Sequence, residues 1–267
     1  MTVAVPAELP VRVSNSHFDR DDCLNCGVPQ MGAFCPACGQ KKAARIGSST
    51  VRKETWSRFR WFELDAIKSA WKLIRSPGGF ARDYVLGKRR AQMHPLGLLL
   101  LMIGALVVLL GETQYLVPTL ASEEAQRMFA LVREYSKWSF SLGIVAIYVS
   151  AMLVFRKRLG YNATEILALA VYIHAVCIAL QIVNQLPLLA WRAPEVLQWH
   201  RKFSPWTMGV AQTLVVVFAF RQFFRVTRWQ ESWKLALAGG IFITAKWGVQ
   251  QLYARAVVEI VHWQMGL

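Results

Sequence analysis

The sequence has little acidic charge and none of the common catalytic motifs. Sixteen Asp and Glu residues stand against 31 Lys and Arg residues, which gives a net charge of +15. The chain contains no GxGxxG, no phosphate-binding loop, no HExxH and no GxSxG pattern, so it lacks the signatures of nucleotide-binding and hydrolytic sites. We therefore predict no catalytic residues, and an enzyme is not the favoured interpretation.

The N-terminal segment lacks a long apolar run. Residues 1–22 are polar and contain Pro6 and Pro10, whereas a secretory signal needs a continuous apolar core. We therefore expect the N-terminus to stay in the cytosol. Because that compartment is reducing, cysteines there more often bind metal than form disulfides.

Apolar and basic residues occupy different parts of the chain. Hydrophobic residues make up 55% of the sequence and the mean hydropathy is +0.31. Residues 41–94 hold 14 Lys and Arg against 4 Asp and Glu, and most long apolar runs come after residue 94. A basic segment directly before apolar runs is typical of the cytoplasmic side of a membrane protein.

Five apolar segments are candidates for membrane spans, each of which needs about 20 mostly apolar residues. They cover residues 95–110, 138–155, 164–190, 205–224 and 235–253. The fifth is the weakest, because Lys246, Gln250 and Gln251 interrupt it. Near the N-terminus, Cys23, Cys26, Cys35 and Cys38 have the paired CxxC spacing of a zinc ribbon. The predicted fold class is therefore an all-α polytopic membrane bundle of about five transmembrane helices with an N-terminal zinc ribbon.

Basic flanks give the predicted orientation. Arg156, Lys157 and Arg158 follow the second span, and further Arg residues follow the fourth, so the N-terminus is expected on the cytoplasmic side of the membrane. The loop at 191–204 fits this orientation poorly, because it carries three basic residues and one acid. With five spans the C-terminus lies outside; if the fifth segment does not cross, it lies inside.

The chain divides into four predicted parts. Residues 1–22 are a flexible tail, 23–40 the zinc ribbon, 41–94 a basic linker with amphipathic juxtamembrane helices, and 95–267 the transmembrane domain. Residues 54–75 follow a helical period, with Trp and Phe on one face and Lys and Arg on the other. Such a helix suits the membrane–water interface, although an ordinary helix packed on the protein's own core has the same pattern.

Four cysteines have the spacing of a structural zinc site. Cys23 and Cys26 are followed after eight residues by Cys35 and Cys38, and four thiolates form a closed tetrahedral site for Zn²⁺. A glycine after each pair permits the positive φ that a tight turn needs. The alternatives are two disulfides, a redox pair and a rubredoxin-type iron site. The fifth cysteine, Cys177, lies inside the third span and is interpreted as a small buried apolar residue.

These elements together resemble a known family. The CxxCG and FCPxCGQ motifs at 23–40 precede an aromatic and basic stretch. A PG…RxYxxGKR motif follows at residues 77–89, directly before the first span. The segment of about 23–100 is similar to the bacterial zinc-ribbon membrane proteins grouped as domain of unknown function 3667. The resemblance implies a bacterial inner-membrane protein and assigns no activity.

Basic residues near the first span are candidate ligands for anionic lipid head groups or for a partner protein. They are Lys68, Lys72, Arg75, Arg82, Lys88, Arg89 and Arg90. Each Lys or Arg at this depth can contribute about 1 kcal/mol of attraction to anionic lipid, and the alternative is a topology signal without a ligand. Nucleic acid is not favoured, because residues 23–53 lack interleaved aromatic side chains apart from Phe34.

Polar residues inside the predicted spans form a second candidate site. His174, Gln181 and Gln185 share one helical face of the third span, and Lys246 lies at a comparable depth in the fifth. Ionisable groups in a membrane are costly and often functional, but polar side chains also hydrogen-bond between helices. The favoured function is a membrane accessory or interaction protein. The alternative is a small transporter or channel component that uses this polar centre.

Overall fold

The computed structural model of the chain describes residues 9–47, 66–90, 92–113, 115, 127–128, 130–132, 134–135 and 139–265. Within these ranges, eight α-helices have defined bounds, and two short 3-10 helices lie at Asn15–His17 and Trp229–Glu231. The α-helices are α1 (Ala66–Arg75), α2 (Pro77–Val85), α3 (Pro95–Glu112), α4 (Leu142–Phe155), α5 (Ala163–Gln185), α6 (Pro187–Ala190), α7 (Pro194–Phe223) and α8 (Ser232–Met265). The four cysteines lie before α1, in a segment of turns and two isolated β-bridges.

Three helical segments are long and apolar enough to cross a membrane. They are α3, α5 together with α6, and α7. Helix α4 is apolar but has only 14 residues, and α8 has 34 residues interrupted by Lys246, Gln250 and Gln251. The prediction of a helical bundle with membrane-length helices is therefore confirmed, whereas five spans are not established.

The helices form a bundle in which α5 is central. Helix α5 packs against α3, α4 and α7, while α8 packs against α4 and α7. The hydroxyl group of Ser150 donates a 2.6 Å hydrogen bond to the carbonyl oxygen of Ala238. This bond fixes the register between α4 and α8, which run antiparallel.

Stacked aromatic rings hold several helix ends at one level. Phe155 stacks on Phe224 with ring centroids 4.4 Å apart, and Tyr161 stacks on Phe223 at 4.3 Å. These rings place the end of α4, the start of α5 and the end of α7 side by side. We call this end of the bundle the ribbon end, because the cysteine segment packs there.

Helix α7 begins earlier than the sequence indicates. The predicted span started at Pro205, but the helix begins at Pro194 and continues through Pro205. A proline inside a helix removes one hydrogen bond without necessarily ending it. The basic residues Arg201 and Lys202, predicted in a loop, therefore belong to the helix.

Helix α1 ends where the sequence predicts, but another helix follows at once. Pro77 takes the first position of α2, where its missing N–H costs nothing. Gly78 allows α2 to approach α7 closely, since an added Cβ would lie 1.9 Å from the carbonyl oxygen of Ala219. The N–H groups of Gly78 and Gly79 donate to the side-chain oxygen of Gln222. The Trp- and Phe-rich half of the amphipathic helix predicted at 54–75 lies outside the described residues.

Candidate metal centre and polar membrane layer

The four cysteine sulfur atoms converge on one point. All lie within 4.8 Å of one another, with 3.6 Å between Cys23 and Cys38 and 3.5 Å between Cys26 and Cys35. A tetrahedral ion with metal–sulfur bonds near 2.3 Å would separate its sulfurs by about 3.8 Å. The arrangement therefore fits a metal ion held by four thiolates.

Two similar turns build this centre. The N–H groups of Gly27 and Gly39 donate 2.8 Å hydrogen bonds to the carbonyl oxygens of Cys23 and Cys35. Both glycines have positive φ, at 77° and 68°, as predicted for the residue after each CxxC pair.

The thiols differ in their readiness to ionise. Burial raises the pKa of Cys23, and it raises the pKa of Cys26 to about 12. The backbone hydrogen bond from Cys38 lowers the pKa of Cys35 to about 7. A bound metal ion would displace the remaining protons, because thiolates rather than thiols are metal ligands.

The residue directly after the second turn joins this centre to the helical bundle. The amide nitrogen of Gln40 donates to the carbonyl oxygen of Gly87 at 2.8 Å, and its oxygen accepts from the backbone N–H groups of Arg89 and Arg90, both at 2.9 Å. Gln40 is buried. Its side chain thus satisfies three backbone groups of residues 86–90, which we call the docking turn.

The docking turn also fits the shape of the cysteine segment. Gly87 has a φ of +100°, and an added Cβ would lie 2.6 Å from Leu24. A ring nitrogen of the buried His17 lies 3.0 Å from the carbonyl oxygen of Leu86. The GKR part of the sequence motif therefore forms a surface against which the cysteine segment packs.

Two of the predicted head-group ligands face the interior instead. Arg89 is 1% exposed, and its guanidinium donates to the carbonyl oxygens of Tyr84 and Ala44. The buried Arg82 donates to the hydroxyl group of Tyr161 and to the carbonyl oxygen of Pro10. The guanidinium groups of these two residues therefore contact protein oxygens inside the fold, whereas the sequence placed them at the head groups.

The other predicted basic ligands lie nearer the surface. Lys72 forms a 2.7 Å ion pair with Asp83, and the guanidinium of Arg75 lies 4.5 Å from the centre of the Trp71 ring. Lys88 is half-buried and Arg90 is exposed. The side chain of Lys68 lies outside the described part of the chain. Head-group binding by these residues stays a prediction.

A buried ion pair anchors the segment that follows the cysteines. Arg45 contacts both carboxylate oxygens of Glu165, at 2.9 and 3.2 Å, and donates to the carbonyl oxygen of Gly160 at 2.7 Å. The fully buried Glu165 also accepts from the N–H of Asn162 at 2.8 Å, in a capping box at the start of α5. Residues 41–47 thus contact the bundle, although the sequence predicted a linker.

The segment before the cysteines is packed in the same way. The N–H of Val13 donates to the carbonyl oxygen of Leu159 at 2.8 Å, and Val13 and Phe18 are buried. At Gly160, with φ +76°, an added Cβ would lie 2.6 Å from the carbonyl oxygen of Val13. The flexible tail predicted for residues 1–22 is therefore not found over residues 9–22.

Within the bundle, the structure brings part of the predicted polar centre together. His174 lies 2.5 Å from the carbonyl oxygen of Phe140, just before α4 begins. Lys246 donates a hydrogen bond to the side-chain oxygen of Gln212, a residue that the sequence analysis missed. Lys246 also lies close enough to His174 for electrostatic interaction. We call His174, Gln212 and Lys246 the polar layer.

The other two predicted residues of the centre lie elsewhere. Gln181 is half-buried and stands seven positions beyond His174 on α5. Gln185 is buried near Tyr115, toward the end of the bundle opposite the ribbon. The candidate site therefore has a different membership from the one predicted: Gln212 takes part, and Gln181 and Gln185 do not.

Glu165 and Gln212 were not predicted as functional or structural residues, and the sequence pattern around them differs. Glu165 follows Asn162 by three positions, which is the pattern of a capping box, so the start of α5 could have been predicted. Gln212 left no such signal, because a single Gln in an apolar run is compatible with any face of the helix. Its role depends on α8 packing beside α7.

Comparison with known proteins bears on one segment. Residues 67–107 match the model of a family described as protein of unknown function, DUF3667. The match confirms the DUF3667 resemblance over α1, α2, the docking turn and most of α3, and the four cysteines lie outside it. No curated protein and no solved structure matches the chain.

Proposed function

We propose that this chain is a bacterial inner-membrane accessory protein that presents a cytosolic zinc ribbon, fixed to its membrane bundle, to a partner protein. The observation that carries the proposal is the docking of the cysteine segment on the bundle, through the buried Gln40 and through the ion pair of Arg45 with the fully buried Glu165. A module held this way keeps one outer surface turned away from the bundle.

That outer surface carries exposed apolar side chains. Met31 is fully exposed and Phe34 is 63% exposed, and both lie between the two cysteine pairs. Large exposed apolar groups on a small module are typical of interaction sites. The four thiolates favour zinc, and a closed four-ligand site supports a structural rather than catalytic role.

Charge supports the proposed orientation. Several basic residues lie in or beside the two loops at the ribbon end: Arg156, Lys157, Arg158, Arg221, Arg225, Arg228 and Lys234. Lys and Arg near span ends are retained on the cytoplasmic side. The exposed Trp71, Ile74 and Arg75 of α1 would then meet the interface and its anionic head groups.

Site-specific cross-linking in cells tests the proposal. A photoreactive amino acid replaces Phe34 or, as a matched control on the same module, the highly exposed Asp21. We expect a defined protein adduct from position 34, a much weaker one from position 21, and loss of the adduct when Cys35 is replaced by Ser. Metal analysis of the purified protein should give one zinc per chain. Equal adducts at both positions, or adducts to lipid alone, would contradict the partner role.

A second candidate function is a small transporter or channel component. The polar layer favours it, because Lys246 of α8 donates to Gln212, which lies inside the membrane-length helix α7. Lys246→Met should then abolish solute flux in proteoliposomes while Arg255→Met, a charge removal at an exposed position of the same helix, leaves flux intact. Unchanged flux in Lys246→Met would exclude the transporter role.

A further inference from the structure

The three residues of the polar layer lie at one depth. Tyr161 and Phe223 stack at the ribbon end, so α5 and α7 are level there. His174 and Gln212 each stand about 11 residues from those ends, or about 17 Å along the helix axis. For a hydrocarbon core of about 30 Å, this depth is close to the middle.

The register of α8 brings Lys246 to the same level. Ser150 of α4 bonds to Ala238 of α8, and in an antiparallel pair this sets Lys246 opposite the first residue of α4, Leu142. The start of α4 in turn touches His174, since a Cβ added at Gly143 would lie 2.4 Å from the imidazole ring. The Ser150–Ala238 hydrogen bond and the Gly143–His174 contact therefore together place Lys246 at the depth of His174.

The titratable side chains that the structure places near the ammonium group of Lys246 are the imidazole of His174 and the buried thiol of Cys177, and neither is a carboxylate. No carboxylate among the described residues forms an ion pair with this lysine, and the hydrogen-bond partner that the structure gives it is the neutral amide oxygen of the buried Gln212. His174 supplies no negative charge, since a carbonyl oxygen accepts from its ring N–H. A cation in an apolar medium is costly unless an anion accompanies it.

The surroundings of Lys246 leave a route from the bilayer. Lys246 is half-buried, and its helix neighbours Ile243 and Trp247 are 51% and 67% exposed on the outside of the bundle. An amphiphile whose acyl chain lies along this apolar surface would bring its head to the ammonium group without crossing the protein.

We propose that Lys246, oriented by Gln212, binds a carboxylate within the membrane, such as that of a long-chain fatty acid entering from the bilayer. The ligand supplies the negative charge that the described protein residues do not. This inference goes beyond the accessory role and does not require transport, since binding without flux would leave it standing.

Equilibrium binding to the full-length protein in nanodiscs of zwitterionic phosphatidylcholine tests the proposal. The probes are radiolabelled oleate, for a ligand from the bilayer, and radiolabelled acetate, for a water-soluble carboxylate. We expect saturable oleate binding to the wild-type protein, weakened at least about tenfold by Lys246→Met, because the variant removes the cation that pairs with the carboxylate. Lys246→Arg should retain binding, and Arg255→Met should match the wild type.

A second measurement separates a ligand site from a packing role. Without ligand, Lys246→Met should unfold at the same temperature as the wild type or higher, since it removes a half-buried cation that has no ion-pair partner among the described residues. If Lys246 served only to hydrogen-bond α7, the same variant would unfold at a lower temperature. Gln212→Leu should weaken oleate binding less than Lys246→Met.

Each outcome of the binding experiment either supports or overturns the proposed carboxylate site. Acetate binding with the same dependence on Lys246 supports a carboxylate site filled from water rather than from lipid. Absence of binding by both probes to the wild-type protein overturns the proposal. Equal oleate binding by the wild type and Lys246→Met overturns it as well, and a cross-linking failure at Phe34 has no bearing on either result.

Discussion

The buried and half-buried cations at the ribbon end differ from the cation of the polar layer in the partners that the protein gives them. At the ribbon end, Arg45 meets a carboxylate, and Arg82 and Arg89 donate to protein carbonyl or hydroxyl oxygens. In the polar layer, Lys246 donates to one neutral amide. Each of the three arginines has two or more protein oxygens as partners, which supports a structural role. The described residues give Lys246 one partner, which is why we assign this lysine to a ligand.

The largest expected effect comes from removing the metal or one of its ligands. Metal binding by four thiolates contributes about 10–16 kcal/mol to folding of such modules, so Cys35→Ser should unfold the cysteine segment and leave the ribbon end uncovered. Limited proteolysis should then cut within residues 9–47. Cys177→Ala, which removes a cysteine inside α5, is the control and should keep both metal and protection. Equal protection of Cys35→Ser and wild type would show that docking alone holds the segment.

Glu165→Ala should produce the next largest effect. It leaves the Arg45 guanidinium without its carboxylate and removes a capping contact of α5. Removing one partner of a buried pair costs about 3–5 kcal/mol, which should lower the melting temperature measured in detergent. Arg20→Ala, which breaks the more exposed pair with Asp22, should cost about 1 kcal/mol or less. Similar losses of stability in both variants would show that the Arg45–Glu165 pair contributes no more than the exposed Arg20–Asp22 pair.

Gln40→Leu tests the docking turn itself. The substitution leaves the N–H groups of Arg89 and Arg90 and the carbonyl oxygen of Gly87 without their partner. An unsatisfied buried group costs about 1–3 kcal/mol, so trypsin should cleave after Lys88 or Arg90 faster than in the wild type. The exposed neighbour Lys41 provides the control, and Lys41→Leu should leave cleavage at that turn unchanged.

The smallest effect is expected at the surface. Lys72→Ala breaks the ion pair with Asp83, in which the lysine side chain is 55% exposed. Exposed pairs contribute about 0–1 kcal/mol, so the melting temperature should change little. A large loss would mean that α1 contributes more to the ribbon end than its exposed contacts indicate.

Local spacing in the sequence was sufficient to predict the cysteine site and most of the helices. The CxxCG pairs predicted four converging thiols and two glycines with positive φ, because every atom involved lies within a few residues. The apolar runs predicted five spans, and three of the resulting helical segments have the length and composition to cross a membrane. Pro205 was misread as a helix start, since a proline's tolerance inside a helix depends on its neighbours.

The contacts between distant parts of the chain could not be predicted from the sequence. Arg82 and Arg89 look like surface charges in a basic stretch, and only the fold reveals that carbonyl oxygens from residues 10 and 44 surround them. Gln212 and Gln222 acquire their partners from α8 and α2. In each case the side chain's role follows from which helix packs beside it, which no local pattern encodes.

The pairing of Arg45 with Glu165 has a consequence for the order of assembly. The two residues are 120 positions apart, so the ribosome finishes the cysteine segment long before its anchor exists. The four thiols can already bind a metal ion at that stage, because all four lie within residues 23–38. The segment can then dock on residues 86–90 through Gln40, whereas its ion pair with the bundle forms only after α3 and α4 have been made and the start of α5 has emerged.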